Sequence, residues 1–271
     1  MIHQVIELKK EGTAANGKLY TYFLDNSKEL NDGLLRPTVI ICPGGAYRMT
    51  SDREAELVAL KFMAMGCHAL VLRYSVYPAE YPTALLELAL AVKYVRERAK
   101  EFYVDENKVI LCGFSAGGHL AASLGVFWKK RMLSEMLETD SKWLKPNGQI
   151  LCYPVITSGG NAHRESFERL LGDRYEELFE NMSLEKQVNE DTPRTFIWHA
   201  FDDKTVPVEN SILFVQSLRK YGISTEFHMY EHGGHGLGTA GKLTYNKYAD
   251  NGIQKECETW MELAKMWIEN A

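Results

Sequence analysis

The residues best suited to chemistry are a serine, a pair of aspartates and a pair of histidines, met in that order along the chain. The serine sits in Gly113-Phe114-Ser115-Ala116-Gly117. The aspartates sit in His199-Ala200-Phe201-Asp202-Asp203, and the histidines in His232-Gly233-Gly234-His235-Gly236. A serine hydroxyl alone is a weak nucleophile. It becomes useful when an imidazole takes its proton, a carboxylate orients the imidazole, and backbone N–H groups receive the charge that develops on the substrate oxygen.

Ser115 follows an apolar run, Lys108-Val109-Ile110-Leu111-Cys112, and precedes a helical pattern, His119-Leu120-Ala121-Ala122-Ser123-Leu124. Between a strand and a helix, G-x-S-x-G is a tight turn that needs its glycines to avoid collision and lifts the hydroxyl above the sheet edge. The alternative is a glycine-rich turn with a capping serine. His235, flanked by glycine on both sides, is the expected base. His232 could instead begin a metal site with it, but no third ligand of suitable type is near in the sequence. Asp203 is the expected acid, on loop spacing and by analogy with α/β-hydrolases. It stands four residues after His199 and four before Pro207. Asp202 is its competitor, with bonding to its own loop's backbone as the other role open to it. The oxyanion donors are expected from Ala116, next to the serine, and from Gly45 or Ala46 in Cys42-Pro43-Gly44-Gly45-Ala46-Tyr47. His119 reads as a satisfied buried histidine. Tyr47, Tyr74 and Tyr153 could line a pocket, though aromatic residues near strand ends are more often packing, and Trp128, Trp143, Trp260 and Trp267 read as core or helix packing.

The elements that must hold these groups follow from periodicity. Strands are predicted at Val5–Leu8, Leu19–Leu24, Thr38–Cys42, His68–Leu72, Val109–Cys112, Gln149–Cys152, Thr195–His199 and Thr225–Tyr230. A first helix should open at the capping box Ser51–Glu54. The second should run from about Pro82 to Lys100, with Leu85, Leu88, Ala89, Val92 and Val95 inward and Glu87, Lys93, Arg96 and Lys100 elsewhere. The third should follow Ser115 and end in Lys129-Lys130-Arg131. Two more are expected at Val208–Tyr221 and Gln254–Glu269. The alternation implies an α/β fold with a mostly parallel sheet of about eight strands, helices on both faces and an antiparallel edge from the two N-terminal strands. Residues 153–191 break the rhythm and suit a small cap inserted in a single domain spanning 1–271.

The 271 residues are 45% hydrophobic and 25% charged, with a net charge of -5, which argues against nucleic acid or an anionic membrane as partner. MIHQVIELKK lacks a signal-peptide pattern and no apolar run is long enough to span a bilayer. Cys42, Cys67, Cys112, Cys152 and Cys257 are odd in number and form no CxxC pair, so reduced thiols in a cytoplasmic protein are expected.

CPGGAY, LCGFSAGGHLAASL, FIWHAFDDKTVPVENS and HGGHGLG resemble the bacterial acetyl esterase and acetyl xylan esterase branch of the α/β-hydrolases, and Ser166–Asp191 is similar to that group's short cap. The resemblance implies hydrolysis of short acyl esters, acetyl above all, of O-acetylated sugars such as imported xylo-oligosaccharides, with no cofactor. Pro43-Gly44-Gly45-Ala46 departs from the His-Gly-Gly-Gly of wider lipase relatives, which speaks against a larger-acyl lipase role. An amidase or peptidase using the same residues and a catalytically silent binding module are the alternatives. The oligomeric state is left open, a homo-oligomer included.

Overall fold

The computed structural model describes residues 1–11 and 14–270. Eight strands form one sheet: β1 (Ile2–Leu8), β2 (Gly17–Phe23), β3 (Arg36–Cys42), β4 (His68–Arg73), β5 (Val104–Phe114), β6 (Gly148–Cys152), β7 (Arg194–Ala200) and β8 (Thr225–Tyr230). Their order is β1-β2-β4-β3-β5-β6-β7-β8. All eight predicted strands are present. The two N-terminal strands form the expected antiparallel edge. β2 pairs antiparallel with both β1 and β4, so it alone runs against the rest. From β4 onward every pairing is parallel.

Parallel strands covered on both faces must be apolar at successive positions, and the core shows why. Ile40, Leu70 and Leu111 pack on one face against helices α2 (Thr83–Glu97) and α4 (Ala116–Phe127). Their neighbours Val39, Ile41, Val71 and Ile110 pack on the other, against α1 (Glu56–Ala64) and α10 (Trp260–Glu269). Alternate residues of each strand thus feed two separate hydrophobic layers.

Four helix boundaries differ from the sequence reading. The box Ser51–Glu54 does not cap a helix. Asp52–Glu54 is a single 3-10 turn without a side-chain cap bond, and the Glu54 side chain turns into the protein. The basic triplet does not end α4, because Lys129 and Lys130 lie beyond Phe127 and Arg131 opens the short helix α5 (Arg131–Met136). The last helix is split into α9 (Lys255–Glu258) and α10, and the second ends at Glu97, followed by α3 (Ala99–Phe102). Glu87, assigned away from the apolar face of α2, is fully buried. It accepts hydrogen bonds from the amides of Asn16, Gly17 and Ser75, which pins the start of β2 to the helix.

After β6 the chain forms α6 (Arg164–Leu171), α7 (Tyr175–Leu178) and several 3-10 turns before β7. Helix α8 (Glu209–Lys220) joins β7 to β8. All five cysteines are buried and unpaired. Among the described residues no helix is long and apolar enough to cross a membrane.

Candidate active site

The carboxyl ends of β3, β5, β7 and β8 point to one rim of the sheet, where ligands of open α/β sheets bind. At the end of β5 the chain must turn into α4 at once. Ser115 makes that turn with φ 52° and ψ −118°, a conformation that strains a residue bearing a Cβ. The neighbours explain the glycines. A Cβ on Gly117 would lie 2.1 Å from the Cys42 carbonyl oxygen, and one on Gly113 would lie 2.3 Å from that of Gly117. Hydrogen bonds lock the strained residue in place. The Ser115 amide donates to Cys152 O at 3.0 Å, and its carbonyl accepts from Val155 N–H at 3.0 Å.

The Ser115 hydroxyl faces His235 Nε2 at 2.8 Å, and His235 Nδ1 meets Asp203 Oδ2 at 2.6 Å. Nδ1–H therefore donates to the carboxylate, leaving Nε2 free to accept the serine proton. Asp203 is itself held tightly. Its Oδ1 accepts from the amides of Thr205 and Val206, and Oδ2 also faces His199 Nε2 at 3.2 Å. Burial works to raise the carboxyl's pKa. The hydrogen bonds from His199 and His235, the His235 charge and the Val206 amide outweigh it and hold the group well below the usual carboxylate range.

The competing pair lies elsewhere. Asp202 does not bond its own loop. Its Oδ1 accepts from the amides of Gly233 and Gly234 at 2.9 and 3.0 Å, and Oδ2 faces His232 Nδ1 at 3.3 Å. The Gly234 amide leads in lowering its pKa. Asp202 thus anchors the loop that carries His235, while the His232 side chain is 71% exposed. On the far side of the loop, Asn251 donates to the His235 carbonyl.

The loop after β3 passes through positive φ at Gly45, Ala46 and Tyr47 (132°, 52° and 53°). Gly45 and Ala46 line a cavity of about 300 Å³ together with Ser115, His163, Glu165 and His235. Ala116 is the first residue of α4, directly after the serine. His119 is buried and satisfied, with Nδ1 at 3.0 Å from the Tyr47 hydroxyl and Nε2 at 3.1 Å from Met182 O. Tyr74 donates to Pro43 O from below the same loop.

Sequence reasoning passed over four residues around this centre. His199 marked only a spacing, yet it shares Asp203 with His235. Glu54 was assigned to a helix cap but accepts the Gly44 amide. Tyr153 packs as expected, and its hydroxyl also joins Glu54 to Gly238. Arg53 binds the carbonyls of Gly236 and Thr244. The partners of Glu54, Tyr153 and Arg53 lie far along the chain, so no spacing pattern could have signalled them, whereas the spacing of His199 and Asp203 did reflect a contact.

The model of one protein family, BD-FAE, matches residues 25–218, a span that holds the Ser115 turn and Asp203 and stops short of His235. The chain belongs to the BD-FAE family. Among curated proteins it is 37% identical over 215 residues to endo-1,4-beta-xylanase B of Butyrivibrio fibrisolvens, covering 78% of this chain and 34% of that protein. It is 29% identical over 232 residues to an acetylxylan esterase of Xylanibacter ruminicola, covering 83% and 45%. The chain therefore spans about a third to a half of these curated relatives. Two solved structures match along nearly their whole length. An acetyl ester-xyloside bifunctional hydrolase from Caldicellulosiruptor lactoaceticus has a TM-score of 0.82 at 33% identity, covering 98% of this chain and 96% of that one. The carboxylesterase Cest-2923 from Lactobacillus plantarum has a TM-score of 0.87 at 27% identity, covering 100% and 98%. The fold of this BD-FAE member is the α/β-hydrolase fold, in the branch the sequence motifs indicated.

Proposed function

We propose that the chain is a carboxylic ester hydrolase that works through an acyl-enzyme on Ser115. The observation that carries this reading is the continuous chain of short contacts, 2.8 Å from serine to imidazole and 2.6 Å from imidazole to carboxylate, at the mouth of a cavity. Ser115 Oγ attacks the ester carbonyl as His235 Nε2 takes its proton. Asp203 keeps Nδ1 protonated and steadies the imidazolium. The amides of Ala116 and of Gly45 or Ala46 donate to the oxyanion. The alcohol leaves with the proton from Nε2, and water, deprotonated by the same nitrogen, releases the acid. Removing one such donor typically costs about 3 kcal/mol of transition-state stabilisation.

The substrate class we propose is short acyl esters, acetyl first, of O-acetylated sugars or xylo-oligosaccharides. Two relatives with names that include an acetyl ester and xylan or xyloside support it. So does a cavity walled by Arg48, His163 and Glu165, whose polar groups suit a hydroxylated alcohol better than a lipid chain. We read residues 1–271 as one domain, with 153–191 as a cap that brings His163 and Glu165 to the cavity. Five buried thiols support a reducing, cytoplasmic setting.

Hydrolysis of 4-nitrophenyl esters of rising acyl length tests the proposal, with Ser115→Ala as the control. Fast turnover of acetate that fades by about butyrate and disappears in the variant is expected. Turnover that survives in Ser115→Ala, or none on any ester, overturns it.

A further inference from the structure

Glu54 is a buried carboxyl side chain, 4% exposed, that the ester-hydrolysis steps do not use. It lies on the 3-10 turn Asp52–Glu54, which has no catalytic group, yet together with Tyr153 it links three loops of the site. Oε2 accepts the Gly44 amide at 2.9 Å, in the loop after β3. Oε1 accepts the Tyr153 hydroxyl at 2.7 Å, just after β6. The same hydroxyl accepts the Gly238 amide at 2.9 Å, three residues beyond His235. Arg53, next along the turn, donates to the Gly236 carbonyl on the other side of that loop.

From these contacts we infer that Glu54 and Tyr153, seconded by Arg53, are positioning residues that fix the oxyanion loop and the histidine loop at one separation. The inference rests on the proposed esterase reading. Gly44 spends its N–H on Glu54, so that amide faces inward. The peptide planes that follow, at Gly45 and Ala46, take their direction from this fixed point and line the cavity. Glu54 Oε2 comes so close behind the loop that a Cβ on Gly44 would meet it at 2.8 Å and Ser115 Cβ at 3.0 Å. Gly44 therefore lies close to both the carboxylate of the brace and the nucleophile. Tyr153 grips the base twice, through Gly238 and through its ring. The ring centroid lies 5.0 Å from that of His235 with the planes at 64°. Its own φ of 38° is strained, and its amide is held by Trp198 O at 2.8 Å. Donors and base must both be placed to a fraction of an ångström. Their relative position is set by one carboxylate and one phenol, since the loops that carry them come from distant parts of the chain.

The test uses the full chain with 4-nitrophenyl acetate, comparing Tyr153→Phe and Glu54→Gln with the native protein and with Ser115→Ala. The phenylalanine keeps the ring and removes the hydroxyl. The glutamine keeps the shape but presents a donor to Tyr153 or Gly44. Because the oxyanion donors act in the transition state, kcat should fall about 10- to 100-fold with KM nearly unchanged, in protein whose near-UV circular dichroism is native. A kcat per folded molecule within about twofold of native in both variants overturns the inference and leaves the esterase reading intact. Absence of Ser115-dependent turnover in the native protein overturns that reading itself. Should Tyr153→Phe not fold, Glu54→Gln and Arg53→Gln probe the same brace. A set in which every variant either unfolds or keeps native kcat also overturns it, since the groups would then serve stability alone.

Discussion

Two adjacent aspartates leave β7, and a single residue of offset separates their roles. Asp203 meets the imidazole, and Asp202 ties down the loop that delivers it. Asp203→Asn should leave the fold intact. Its amide can donate to Nδ1, which favours the tautomer that protonates Nε2 and blocks proton transfer from Ser115. A loss in kcat of about 10⁴-fold is expected on 4-nitrophenyl acetate, as for the equivalent change in serine proteases. Asp202→Ala removes two amide anchors without touching the imidazole, and should lower kcat by roughly tenfold or less. Equal losses in the two variants would mean that the carboxylates share the work. At this scale the sequence was informative because each candidate sits on a loop whose length fixes its reach. The inward-turning acids were not legible. Glu54 and Glu87 look like surface residues, and only the folded backbone shows the amides that draw them in.

The elements themselves were legible where burial is two-sided. Strands such as β3 and β5 need apolar residues at successive positions, so their runs were visible, although β5 begins at Val104, well before the apolar run at Val109. Helix ends were harder to read. A capping box, a basic triplet and a long amphipathic run are weak local preferences. The need to turn Glu54 inward outweighed the first, and a break at Thr259 divided the last. The turn from β5 to α4 is different, because sterics leave it no choice. Gly117→Ala would place a methyl carbon 2.1 Å from Cys42 O and 2.4 Å from Pro43 O, both backbone atoms that cannot swing aside. Either α4 moves off the end of β3 or the serine leaves its place. We expect a loss of at least about 2 kcal/mol in urea unfolding, together with loss of ester turnover. A variant with native stability and native kcat would show that the helix can shift without cost.

Across the whole molecule, two buried histidines outside the Ser115–His235–Asp203 contacts tie stability to pH. His119 lies in the layer between α4 and the segment after β6, against Tyr47, Phe167 and the Met182 carbonyl. His68 lies at the other end of the sheet, against Phe23, and accepts the Leu24 amide through Nδ1. Burial is the dominant cause in both, and pushes each pKa from 6.5 down to about 4. The unfolded chain protonates these rings near pH 6.5, and the native protein resists until about pH 4. In between, the unfolded state binds more protons, so stability is fully present above pH 6.5 and falls as the pH drops through that window. Each ring accounts for about 2 kcal/mol between pH 7.5 and pH 5, against a total of about 5–15 kcal/mol for a typical domain. Urea unfolding of the native protein and of His119→Gln at those two pH values separates this term from other titrations. The glutamine can still bond Tyr47 and Met182 but carries no titrating ring. The drop in unfolding free energy on acidification should therefore shrink by about 2 kcal/mol in the variant, whatever its absolute stability. An identical drop in both proteins would mean that the His119 ring becomes protonated in the native layer as easily as in the unfolded chain.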